Sequence, residues 1–314
     1  MQIIKPDTNF DFVGKRRMAV IFSLLLILIG IGSLVAKGGP SYGIDFAGGT
    51  LVQVKFVQET KAADIRKSLE SLNLRGLTVQ RFGDEANEFL LRAQDAGEEL
   101  ESGEKLESMA DRVGSALEES YPEINGEKQV DIRRVEMVGP QVGKDLRMKG
   151  LLAILYAMGG ILLYVTWRFE FRFAVGAILA LVHDVLITLG VFSLFGKEID
   201  LPIIAAFLAI IGYSLNDTII VYDRIRENTG KHLKEGLVAV INRSINETLS
   251  RTILTSGTTL LVVVALFIFG GGVIHNFAFA LLVGIIIGTY SSIFVASPLL
   301  IFWEDLRDRK KQHA

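Results

Sequence analysis

The sequence predicts a polytopic α-helical membrane protein with six transmembrane helices and one ferredoxin-like α+β (βαββαβ) domain between helices 1 and 2. Three observations predict it. Half of the 314 residues are hydrophobic and only 22% are charged, with a mean hydropathy of +0.40, too apolar for an ordinary soluble domain. Six runs are apolar over the roughly 20 residues needed to span a hydrocarbon core: Met18–Ala36, Gly150–Thr166, Phe173–Phe195, Leu201–Tyr222, Thr252–Phe269 and Ile274–Phe302. Between the first two lies one long polar insert, Lys37–Arg147, with strand and helix patterns of its own.

Residues 1–17 precede the first span. Lys15, Arg16 and Arg17 stand directly before it, as they would before a cleaved signal peptide. The apolar run is longer than the roughly 7–15 residues of a signal core, and no small-x-small cleavage pattern follows Val35-Ala36-Lys37, so a retained helix is expected. In the insert, residues 37–147, Leu51–Val57 alternates with Val52, Val54 and Phe56 on one face. Thr60 then opens a helix with Ala62, Ile65, Leu69 and Leu72 inward, ending near Gly76. Leu77–Phe82 and Glu88–Arg92 read as strands joined through Gly83 and Asp84. A helix from about Glu101 to Tyr121 turns Leu106, Met109, Val113 and Leu117 inward and stops at Pro122. Val130–Val138 is the last strand, and the order βαββαβ is that of the split βαβ unit.

Residues 148–303 hold spans two to six, and 304–314 form a basic tail. Lys and Arg collect on one side: before span one, at Arg168 and Arg172, through Arg224, Arg226, Lys231, Lys234 and Arg243, and at Arg307, Arg309, Lys310 and Lys311. The loops FGKEIDLP and FGGGVIHN are nearly free of them. By the positive-inside rule both termini face the cytoplasm and the insert lies on the far side.

Composition excludes several activities. There is no cysteine, hence no disulfide framework or thiolate chemistry. No Gly-x-x-x-x-Gly-Lys-Ser/Thr loop or His-Glu-x-x-His helix occurs, so neither nucleotide hydrolysis nor a cofactor or metal is expected, and the chain is not expected to be an enzyme. A formal net charge of −2 leaves no footprint for nucleic acid. The insert reads as a handle for a partner or as a plain spacer.

The candidate functional residues are ionisable groups inside spans, expensive there and functional by default. Asp217 in IIGYSLNDTIIVYD is the sharpest, with Ser214 able to bond towards Asp217 or Thr218 and Asn216 beside it. Arg251, taken to begin the fifth span, heads a stripe with Thr255 and Thr258, while Thr252, Ser256 and Thr259 form the adjoining one. Hydroxyls so spaced line a hydrated path or bond across helices. His183 and Asp184 sit halfway along the third span, and, about 100° apart, are not expected to share a face. Bland readings stand beside these: Arg251 snorkelling and paired with Glu247, Asp217 as a packing residue, His183-Asp184 locking helices together. Gly284 and Gly288 fit close helix packing. Tyr222, Asp223 and Arg224 read as interfacial anchors. A carboxylate set between a desolvating bilayer and a guanidinium can load and release a proton. One charge crossing about 100 mV releases about 2.3 kcal/mol, enough to do work.

In order, FDFVGKR (Phe10–Arg16), YGIDFAGGT (Tyr42–Thr50), VEMVGPQVGKDL (Val135–Leu146), ALVHDV (Ala180–Val185), GYSLNDTIIVYDRIREN (Gly212–Asn228) and SRTILTSGTTL (Ser250–Leu260) resemble the motifs of the SecF family. These are the smaller membrane subunits of the bacterial SecD–SecF export complex, within the resistance–nodulation–division superfamily. The resemblance covers Phe10 to about Pro298. It implies a bacterial inner-membrane protein with a periplasmic ferredoxin-like domain, paired with SecD and acting with the SecYEG channel after the ATP-driven SecA motor. It implies use of the proton-motive force to draw the exported preprotein outward, with sodium replacing the proton in some members. It assigns Asp217 as the proton-relay carboxylate and Arg251 as its basic partner. Three readings compete. A small-molecule exporter of the superfamily would carry two large outer loops on a longer chain. An intramembrane aspartyl protease would need Asp184 and Asp217 convergent and a Gly-x-Gly-Asp context, which is absent. A non-transporting scaffold would tolerate Asp217→Asn.

Overall fold

The computed structural model describes residues 8–82, 87–94, 109–124, 126–232 and 234–312. In chain order its elements are helix α1 (Arg16–Ala36), the short α2 (Ile44–Ala47), strand β1 (Gly49–Phe56), α3 (Ala62–Ser68), β2 (Arg75–Arg81), β3 (Glu88–Gln94), α4 (Met109–Ser120) and β4 (Val130–Val138), then helices α5 (Pro140–Arg168), α6 (Phe171–Leu194), α7 (Leu201–Lys231), α8 (Leu237–Phe269), α9 (Gly272–Ser291) and α10 (Ser297–Gln312). They form two compact units, Tyr42–Lys149 and the remainder, Met1–Ser41 with Gly150–Ala314.

In the smaller unit the strands lie in the order β2-β3-β1-β4, antiparallel throughout. That is the ferredoxin-like order expected from βαββαβ. Val52, Val54 and Phe56 of β1 alternate inward as the period of two requires, meeting Ile65 from α3, Leu69 at its C-cap, and Val113 and Leu117 from α4 in one apolar core. The first helix differs from the expectation at both ends. The Thr60 hydroxyl bonds the Gln58 carbonyl, so the cap is Lys61 and the helix starts at Ala62. It gives way to a 3₁₀ turn, Glu70–Leu72, closed by Asn73 in the left-handed region. Gly76 therefore lies inside β2, where pairing with β3 is irregular between Arg75 and Thr78. The expected turn at Gly83-Asp84 and the helix start at Glu101 lie outside the described residues. Gly48 and Gly49, both at positive φ, carry the chain from α2 into β1. A side chain at Gly48 would also place its Cβ 2.9 Å from the Cα of Pro140, so this position admits only glycine.

The larger unit holds six helices long and apolar enough to cross a membrane, the last running from Gly272 to Arg307 through α9 and α10. Every candidate span is recovered, but several helices run past the apolar stretch. α5 begins ten residues before Gly150, and only residues 232–236 separate α7 from α8. The arginines expected in the loop after the fourth span are thus helical. Asp200 caps α7, its Oδ1 accepting the Ile203 amide at 3.1 Å with Pro202 in the first turn, the arrangement that satisfies an orphan N–H. α6 is the most buried span, α5 the least, and α1 and α8 are nearly as outward as α5. The N-terminal FDFVGKR segment is held on α8. Asn242 Oδ1 accepts the Phe12 amide at 2.9 Å and Asn246 Oδ1 the Phe10 amide at 2.8 Å.

Gly284 and Gly288 pack against α7, as expected of small residues at a helix crossing. A side chain at Gly284 would overlap Ile210, and a Cβ at Gly288 would lie 2.9 Å from that of Ser214. Tyr222 corrects an expectation: it is fully buried rather than interfacial, its hydroxyl donating to the Ala296 carbonyl at 3.0 Å. Ala296 ends a π-helical turn, Ser292–Ala296, between α9 and α10. Pro298 has no amide to return to the preceding turn, which opens the helix there. Tyr222→Phe is expected to cost about 1 kcal/mol, one buried hydrogen bond, read as a lower melting temperature in detergent. An unchanged melting temperature would show that the turn does not need this hydroxyl.

Candidate functional site

Two carboxylates are buried among the spans, Asp184 on α6 and Asp217 on α7, 1% and 0% exposed. Their surroundings differ. Asp217 Oδ2 accepts the Ser256 hydroxyl of α8 at 3.2 Å, and Ser256 in turn meets Thr289 of α9 at 2.8 Å. Asp217 Oδ1 is buried without a hydrogen-bond partner, as are the hydroxyls of Thr252 and Tyr213. A buried polar atom left unpaired costs free energy. Asp217 Oδ1 is the one carboxylate oxygen among these atoms.

Asp184 is fully engaged. Its Oδ2 accepts the hydroxyls of Ser214 on α7 at 2.5 Å and of Ser291 on α9 at 2.8 Å, and its Oδ1 lies 2.8 Å from His183 Nδ1. His183 Nε2 lies 3.0 Å from Ser23 Oγ of α1. The histidine and aspartate thus meet despite their separation around the helix. The 100° step fixes their Cα–Cβ directions, and the imidazole is long enough to fold back.

The other expected residues separate by helix face. Ser214 serves Asp184, not Asp217 or Thr218. Asn216 is exposed and none of the hydrogen bonds among the described residues includes it. Thr255 and Thr258 return their hydroxyls to their own helix, at the carbonyls of Arg251, Thr252, Leu254 and Thr255; Thr252 and Ser256, on the adjoining stripe, are the buried pair. Arg251 does not begin its helix but lies about four turns into α8. It is exposed and lines a cleft of about 240 Å³ with Tyr164, Arg168 and Asp223. Among the described residues it makes no ion pair, and its charge reaches Asp217 only through space. Glu247, its alternative partner, instead binds Arg224 at 2.6 Å and Asn228 at 2.7 Å. The sequence reading missed Ser23, Thr289, Tyr290 and Ser291. The available signal was the run Thr289-Tyr290-Ser291-Ser292, four hydroxyls inside an apolar span.

A chain with an α+β insert, and with membrane-length helices that bury a carboxylate, has relatives among known proteins. The family described as protein export membrane protein SecD/SecF, C-terminal, matches residues 119–306, and the SecD/SecF GG motif matches residues 33–60. The chain is 48% identical over 310 residues to protein translocase subunit SecF of Magnetococcus marinus, covering 99% of this chain and 97% of that one. It is 50% identical over 296 residues to the same subunit of Desulfurispirillum indicum, covering 93% and 91%. A crystal structure of SecDF, a translocon-associated membrane protein from Thermus thermophilus, matches with a TM-score of 0.83 at 38% identity, over 96% of this chain but only 40% of that longer one. With a family match over residues 119–306 and relatives 48% and 50% identical along nearly the whole chain, the chain belongs to the SecD/SecF family of protein-export membrane proteins, as a subunit of the SecF type.

Proposed function

We propose that the chain pairs with a SecD-type subunit in the bacterial inner membrane, with both termini cytoplasmic, and uses the proton-motive force to complete preprotein translocation. It acts with the SecYEG channel after the ATP-dependent SecA step and makes or breaks no covalent bond. The observation that carries this reading is the unpartnered Oδ1 of Asp217, wholly buried between α7 and α8. A proton bound there removes the cost of a bare charge and supplies the orphan oxygen with a hydrogen. Ser256 and Thr289 relay hydrogen bonds to the other oxygen, and Arg251 biases the carboxylate from the exposed side of α8 as its distance changes. The exported domain Tyr42–Lys149 is the part that moves the preprotein, driven by the roughly 2.3 kcal/mol that each proton releases across about 100 mV.

The test uses proteoliposomes holding the chain, its SecD-type partner, SecYEG and SecA, with a preprotein whose export is completed after ATP is removed. An imposed proton gradient is expected to speed completion in the wild type and to have no effect in Asp217→Asn, while the ATP-driven phase is the same in both. Arg251→Met is expected to fall between them. Gradient stimulation that survives Asp217→Asn would overturn the relay, and stimulation by sodium in place of the proton gradient would change the coupling ion.

A further inference from the structure

We infer that strand β4 is a docking edge for an extended polypeptide segment, which adds to the sheet beside it as a further strand. β4 stands last in the order β2-β3-β1-β4 and pairs on one side only, with β1. The register fixes its faces. Phe56, Val54, Val52 and Thr50 of β1, all buried, stand opposite Val130, Ile132, Val135 and Met137, and directly opposed residues share a face of the sheet. That face is the one that holds the apolar core, yet burial stops at β4. Val130 is 5% exposed, whereas Ile132, Val135 and Met137 are 39%, 45% and 56% exposed. Helix α4 reaches Ile132, where a Cβ on Gly114 would lie 3.0 Å from its Cδ1, and leaves the two residues beyond it open.

The core face thus runs on past its own helices as three apolar side chains beside an open backbone edge. Edge strands ordinarily carry charge, or are covered, to prevent further pairing. The opposite edge, β2, shows that solution: Val79 is buried and Arg81, two residues on and so on the same face, is charged and exposed. On β4 the charges lie off the apolar stripe and are matched among themselves, Arg133 with Asp131 at 3.1 Å and Arg134 with Glu136. The stripe therefore selects for no charge. What it offers is backbone hydrogen bonding and an apolar contact at every second residue, the two features of strand addition, which many different sequences can meet.

Size and shape choose the occupant. Nine residues make an edge about 30 Å long, and at about 10 Å deep one added strand buries on the order of 600 Å² in total. That is half or less of what a stable complex buries, so the grip is transient. The register with β1 also slips at Arg133, between the pairs Val54–Ile132 and Gln53–Arg134. A bulge bends the strand and puts the two halves of its edge out of phase. A flexible chain follows such an edge, and the regular strand of a second folded domain does not. Area, matched charge and bulge together point to an unfolded segment of alternating apolar and polar residues. That such a chain passes here rests on the translocation reading above; the capacity of the edge to hold one does not.

The test uses the full chain in lipid nanodiscs, with no gradient, ATP or partner subunit, and a fluorescent peptide of alternating valine and threonine with a lysine at each end. Saturable binding is expected, weakened about tenfold by Val135→Lys with Met137→Lys, which removes two cross-strand pairs. Val57→Lys, which puts the same charge on an exposed apolar residue just outside β1, is expected to change nothing. The same peptide N-methylated at every residue keeps its side chains, loses its backbone donors and is expected not to bind the unaltered chain. Met137→Cys, in a chain with no other cysteine, should form a disulfide with a peptide carrying one central cysteine, and Thr78→Cys on β2 should not. Binding that withstands the double lysine variant or the N-methylation would overturn the inference. A double variant that binds the peptide normally but loses self-association, or its pairing with the SecD-type subunit, would give the edge to a folded partner and overturn it equally. Failure here leaves the Asp217 gradient test untouched, and failure of that test leaves this one.

Discussion

Asp217→Asn is expected to melt at or above the wild-type temperature, and Asp184→Asn well below it, although both replace a buried carboxylate by its isostere. The difference follows from the partners. Asp184 accepts two serine hydroxyls and faces an imidazole, all within 2.8 Å. An amide oxygen can keep both serine hydroxyls, which already share Oδ2, but its NH2 then faces His183 Nδ1 and all three bonds lose the carboxylate's charge. Hydrogen bonds to charged groups contribute about 1.5–3 kcal/mol each, against about 1 kcal/mol for neutral ones. A loss of about 3 kcal/mol is expected, a fall of roughly 5–10 °C by the scaling for domains of this size. Asp217 keeps one hydrogen bond, the 3.2 Å contact from Ser256, which an amide oxygen can still accept. Its other oxygen has no partner to lose, and the substitution removes an ionisable group whose charged form is costly in the bilayer. A residue retained at the expense of stability is retained for function. Thermal inactivation of the two variants in the same detergent decides this, and an Asp217→Asn chain that loses as much as Asp184→Asn would show Asp217 to be a packing residue.

The spans and the ferredoxin-like order were legible because both rest on periodicity and length, which belong to single segments. Val52, Val54 and Phe56 alternate in the sequence and alternate in the core. Helix ends were less legible. No proline interrupts Arg224–Lys231, and charged residues continue a helix as readily as apolar residues do, so α7 runs on to Lys231 after hydropathy has fallen. The site was legible only in part. Asp217 stood out because a carboxylate in a span is rare. Which hydroxyl stripe of α8 faces it depends on how α8 is rotated against α7 and α9. Two stripes of similar composition, Thr255 with Thr258 and Thr252 with Ser256, gave no internal reason to choose between them. The resemblance paired Arg251 with Asp217, but a shared motif does not fix azimuth, and the arginine lies on the exposed side. Tyr222 was misplaced for the same reason, since its sequence position near the end of an apolar run says nothing of the Ala296 carbonyl that receives its hydroxyl.

Gly190→Leu is expected to release α1 from the bundle. A Cβ at Gly190 would lie 2.7 Å from the Cα of Gly30, and one at Gly30 2.8 Å from the Cα of Gly190. The obstacle is backbone on both sides, so no rotamer change relieves it. Even Gly190→Ala forces the helices apart, with overpacking costs of about 1–3 kcal/mol, and leucine exceeds that. The crossing is also the middle of a seam. On one side of it Ser23 meets His183, and on the other Ser33 meets Ser193 at 2.8 Å and the Lys37 ammonium donates to the Ser193 carbonyl. Without a hydrophobic drive between helices in lipid, close approach and these few hydrogen bonds are what hold α1 in place. The chain has no cysteine of its own, so Ser33→Cys with Ser193→Cys gives a clean reporter. Oxidation should close a disulfide in the wild-type background, slowly in Gly190→Ala and not at all in Gly190→Leu. Cross-linking of Gly190→Leu at the wild-type rate would mean that α1 docks without the glycine contact. The seam would then rest on its hydroxyls and Lys37 alone.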